Sequence, residues 1–200
     1  MKKIFVFSLT MLLALALNAQ TAQQKNRVAE VRKAYQEALR YSEESQMEPE
    51  MDNSAVITIK RMFGGSGMQN KKMEFFYTPD DSRMEGTGWT LYFVRTSYNY
   101  SARKFYDEYL FDKKTGQLIF CFRQNDSYET EKPAKEEYRS YFYKDGKHCQ
   151  TIAQLKYEDG KTSVPASMKN IGANHEKVKE ALKSAKEVRE MFEKVVNAGY

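Results

Sequence analysis

Histidine, cysteine and tryptophan are scarce in this chain: two, two and one among 200 residues. A zinc centre needs clustered His and Cys, and the one adjacent pair, His148 and Cys149, falls on an expected strand whose neighbours point to opposite faces. No metal site and no cofactor is therefore expected. Two cysteines are also too few for a disulfide-stapled miniprotein. Charge of one sign is not in large excess: 32 Lys and Arg stand against 27 Asp and Glu, mixed in sign along the chain. Nothing in that balance calls for nucleic acid. Catalytic signatures are missing as well. Ser66 in GGSGM has Gly64 two residues before it but Met68 two after, so the nucleophile-elbow spacing fails. The same glycines lack the GK[ST] ending of a phosphate loop, and Asp112 in DKKTG lacks the later ligands of a calcium loop.

The longest apolar run, Ile4 to Leu17, is shorter than the roughly 20 residues a membrane span requires. Lys2 and Lys3 precede it and small residues follow, the pattern of a secretory signal peptide, residues 1–19, with cleavage expected after Ala19 or, second, after Ala16. No Cys follows the run to take a lipid anchor. The MKKIF start and LNAQ end resemble the leaders of exported proteins of Bacteroidetes-type bacteria, which implies a secreted or periplasmic location. The mature chain, 20–200, is long enough for one substantial core and is expected to be a single α+β domain without a transmembrane segment.

What is abundant is alternation. From Trp89 to Phe122, aromatic and β-branched residues interleave with polar ones, and the stretch reads as three strands. Strands are also expected in VITIKRMF, KMEFFYT, EEYRSYFYK and KHCQTIAQLKY, joined by turns that include the flexible, glycine-rich GGSGMQNKK after Phe63 and Asp145-Gly146. TSYNYS reads as a turn, and Phe111 is expected opposite Leu118, Tyr109 opposite Phe120. Val28, Val31, Tyr35, Ala38 and Leu39 make one side of an N-terminal helix, and Val178, Leu182, Ala185, Val188, Phe192 and Val195 one side of a C-terminal helix with Asn174 as its cap. The fold class is thus α+β: a single curved antiparallel sheet of six or seven strands, mainly a meander, with both helices on its apolar face.

Cys121 and Cys149 form a possible disulfide, but a meander puts a strand between them, and two strand spacings exceed disulfide reach, so free thiols are favoured. The paired carboxylates Asp80 with Asp81 and Asp107 with Glu108 leave a secreted hydrolase as an alternative, which needs two such groups facing across a cleft. The aromatic inventory, 14 Tyr and 12 Phe, points instead to recognition. Candidate contacts are Tyr92, Tyr98, Tyr100, Tyr106, Tyr128 and Tyr141. Arg103, Glu108 and Arg139 stand beside them. The expected activity is noncatalytic binding of a protein, peptide or glycan through a sheet face or edge, with structural self-assembly as a further alternative.

Overall fold

The structure, a computed structural model, describes residues 2–47, 53–65, 67–80, 88–127, 130 and 132–198, with side chains in the first helix described for 22–44. The expected leader therefore lies outside the described side chains. Helix α1 (Lys2–Met47) is followed by β1 (Ser54–Phe63), β2 (Gly67–Pro79), β3 (Trp89–Tyr100), β4 (Arg103–Phe111), β5 (Leu118–Ser127), β6 (Ala134–Phe142), β7 (His148–Tyr157) and β8 (Thr162–Ser163). A 3-10 turn (Ala166–Met168), helix α2 (Glu176–Phe192) and a π-helical turn (Glu193–Asn197) complete the chain. Among the described residues no helix is long and apolar enough to cross a membrane.

Among the described residues the sheet is one antiparallel meander in the order β1 to β8, with eight strands rather than six or seven. The eighth is a two-residue return after the Glu158–Gly160 turn, too short to carry a period of its own. Thr96 to Tyr100 is strand, not turn; the reversal is confined to Ser101 and Ala102, with Ser101 at φ 53°. Phe111 does face Leu118, but a bulge there leaves Ile119 unpaired and puts Leu110 opposite Phe120 and Tyr109 opposite Cys121.

The helices lie on opposite faces. Apolar side chains occur at consecutive strand positions, such as Phe75 and Phe76 or Phe93 and Val94, and alternation sends each pair to both sides. Each face then needs its own cover. Val28, Val31 and Ala38 of α1 join Phe76, Phe93, Leu110, Phe120 and Tyr141 on one side. Val178, Ala181, Ala185, Val188 and Phe192 of α2 join Phe75, Val94, Tyr109 and Cys121 on the other. Ala181 takes the place expected for Leu182, which is exposed, as is Val195 beyond the end of α2. The α2 cap is His175 rather than Asn174, its Nδ1 accepting the Lys177 N–H at 3.2 Å.

Candidate functional site

The α1 side of the sheet is organised in rows across the strands. The lowest is apolar, Phe76, Phe93, Leu110, Phe120 and Tyr141, and lies under α1. The next pairs Glu74 with Arg95, Arg95 with Glu108, Glu108 with Phe122 and Phe122 with Arg139. One pair higher runs Lys72, Ser97, Tyr106, Gln124, Glu137 and Gln154, each opposite the next. The top row holds Asn99, Lys104 and Asp126, then Lys135 and Lys156.

Helix α1 reaches only the second row. Tyr35 donates its hydroxyl to Glu108, whose other oxygen accepts Tyr106 Oη at 2.5 Å. Arg95 stands 3.8 Å from Glu108 and donates from Nη2 to Ser42 Oγ at 2.6 Å. Burial, with the neighbouring Glu108 charge, pushes both tyrosine hydroxyls well above their ordinary range, so they stay donors. The carboxylate is thereby engaged by α1 and by two strands.

Beyond α1, the two upper rows floor a groove of about 580 Å³. Ser97, Tyr106 and Gln124 form its base, with Lys72, Lys104 and Lys135 among its walls. Burial raises Glu137, but hydrogen bonds from Gln154 and Arg139 at 2.9 Å and Gln124 at 3.1 Å outweigh it and hold the carboxyl below its usual range. Lys72 is paired with Glu74 at 2.8 Å, and Lys135 donates to Gln124 at 3.3 Å. The groove thus combines amides, hydroxyls and a tyrosine ring with a lysine rim, against the carboxylate of Asp126. A larger cleft of about 770 Å³ opens beside it at Pro133, Lys156 and Tyr157.

The expected contact residues divide. Tyr106 lines the groove and Glu108 lies beneath it. Arg139 is held by Glu137 and covers the Phe122 ring, 5.0 Å from its centroid. Tyr141 and Tyr92 are core residues at 2% and 8% exposure, so neither presents a ring to solvent. Tyr98 also lines the groove and stacks on Phe105 at 4.7 Å and 3°, with burial raising its hydroxyl. Arg103 lies over the same Phe105 and donates to the Asp126 carbonyl. Tyr100 is exposed near Phe63 at the sheet tip. Tyr128 lies outside the described residues. The lysines and amides of the upper rows went unselected in the sequence. Their signal is polar alternation at strand ends, which acquires meaning only when the register aligns it.

Cys121 and Cys149 are both free and buried, and they belong to opposite clusters, Cys121 under α2 and Cys149 under α1. The bulge after Tyr141 turns Cys149 toward Gln24. Asp107 and Glu108 likewise face opposite sides: Asp107 meets Arg123 at 3.1 Å on the α2 side, where Glu180 takes the same guanidinium at 3.1 Å. Burial raises Asp107 despite that arginine. His148 is lowered by burial and bonds Thr151 at 2.9 Å. Among the described residues no group of three His, Cys, Asp or Glu gathers to hold a metal.

No family model matches this chain, and no curated protein or solved structure is found to be similar to it. The functional reading rests on the site alone.

Proposed function

We propose that the chain is an exported, noncatalytic binding domain that recognises a protein, peptide or glycan through the open groove on the α1 side of its sheet. The observation that carries this reading is the row of Lys72, Ser97, Tyr106 and Gln124 beyond the reach of α1, part of the lining of an open groove of about 580 Å³ that Tyr98 and Phe105 also line. A largely apolar lining with a few polar groups suits a ligand that combines apolar contact with a few directed bonds. The hydrolase alternative has less support, because Asp107 and Glu108 face opposite sides and each already has an arginine beside it.

The test is a screen of the secreted protein against immobilised glycans and peptides, repeated with Ser97→Ala and Gln124→Ala. Loss of the recovered ligand by both variants, at unchanged thermal stability, is the expected result. A ligand retained equally by both variants overturns the groove reading.

A further inference from the structure

The two edges of the sheet are treated differently. At one edge β7 carries β8 along Leu155 and Lys156, and the Gln24 side-chain amide donates to the Cys149 carbonyl at 2.6 Å. At the other edge stands β1, ten residues long, whose only neighbour in the sheet among the described residues is β2. Antiparallel geometry turns the backbone N–H and C=O groups of every second residue of an edge strand away from its partner. Among the described residues no backbone hydrogen bond reaches the outer side of Val56 to Arg61. Natural edge strands are commonly shortened, bulged or broken by proline. The β1 pairing with β2 is continuous from Ser54 to Phe63, and β1 contains no proline.

Side chains along this edge define what would fit. Val56 and Met62 are 56% and 71% exposed on the groove side, and Ile57 and Ile59 are only partly covered on the α2 side. Charge is one-sided. Lys60, Arg61, Lys71 and Lys72 in the β1–β2 hairpin stand against the single carboxylate of Glu74, which Lys72 already pairs. A second copy would present the same cations to this edge, so self-pairing adds like charge to like. An extended acidic segment relieves it.

We propose that β1 is a docking edge for an extended acidic peptide segment, which adds as a ninth strand with alternating apolar and carboxylate side chains. Main-chain hydrogen bonds to β1 supply the pairing, the apolar side chains cover Ile57 and Ile59 on the α2 side, and the carboxylates, on the other face of the added strand, meet Lys60 on the groove side. This site adjoins the groove, which Thr58 and Lys72 also line, but its pairing runs along the outer side of β1 and does not depend on the reading of the groove.

The probe is a fluorescent peptide in which valine alternates with glutamate. Controls are a valine–lysine peptide and a valine–glutamate peptide with N-methylated backbone. Fluorescence anisotropy with the full secreted protein should show saturable binding of the acidic peptide alone, weakened by added salt. A Lys60→Glu/Arg61→Glu variant should lose at least about tenfold in affinity for it. Amides on the outer side of β1 should gain protection from exchange when peptide is bound, and Ser97→Ala and Gln124→Ala should bind it as the parent does. Equal binding of the N-methylated peptide overturns the proposal, as does absence of binding. Sedimentation showing β1-protected dimers that exclude the peptide also overturns it, in favour of self-pairing.

Discussion

The hydroxyl of Tyr35 on α1 is donated to the carboxylate of Glu108 on β4, across 73 residues of sequence. Because Glu108 also takes Tyr106 and faces Arg95, whose guanidinium holds Ser42, one buried charge pair fastens the helix to the sheet at two points. Removing the carboxylate leaves a mostly buried arginine whose remaining acidic neighbour across the strands, Glu74, is already paired with Lys72. Glu108→Ala should therefore destabilise the fold by about 3 kcal/mol in urea unfolding. Tyr35→Phe should cost about 1 kcal/mol, and the double variant should cost less than the sum. Additive losses would show that the two residues act independently.

Glu137 and Asp107 should bend the pH dependence of stability in opposite senses. Glu137 is lowered in the folded state, so its contribution is full above its unfolded value of 4.5 and is lost as pH falls through the folded value. Asp107 is raised, so its contribution is full below its unfolded value of 3.8 and is lost as pH rises through the folded one. Urea midpoints measured from neutral to acid pH should therefore fall less steeply in Glu137→Gln and more steeply in Asp107→Asn. Parallel curves for the two variants would contradict the assignment.

Neither cysteine should react while the protein is folded. Both are buried, and burial pushes both thiols up, Cys121 furthest, which suppresses the nucleophilic thiolate. Iodoacetamide should leave the native mass unchanged and modify two sites after unfolding. A native mass that rises by two protons on reduction would establish the disulfide instead.

The hairpin tip should exchange its amides quickly. Gly65 and Gly67 sit at φ 82° and 78°, a region side chains resist, and a methyl group built on Gly64, Gly65 or Gly67 would meet nothing within 4 Å. Exchange at Gly64, Gly65 and Gly67 should be far faster than at Phe93 and Phe120 in the central strands. Equal protection would require a contact on the tip.

The meander and the α1 stripe were legible because each is a local pattern: alternation at period two, or apolar steps of three and four such as Val28, Val31, Tyr35 and Ala38. Bulges were not legible. The unpaired residue Ile119 shifts every partner beyond it, and nothing in LIFCF marks which residue is extra. The separation of the helices was also present in outline, since Phe75 beside Phe76 demands two covered faces. The site depended on register most of all. Lys72, Ser97, Tyr106 and Gln124 are ordinary strand residues until three turns bring them into one row, and the aromatic rings that stood out in the sequence, Tyr92 and Tyr141, were wanted by the core.

A meander delivers each strand's partner within the next few residues of synthesis, so the sheet is assembled from short loops. Helix α1 is the exception. Arg27 waits for the Phe142 carbonyl, 115 residues later, and Gln24 for that of Cys149, 125 residues later. Until β6 and β7 exist, the apolar stripe of α1 lacks part of its floor. The first element made is thus among the last to be seated, and a chain passing amino-terminus first through a narrow channel would keep its leading helix undocked until most of the sheet had followed.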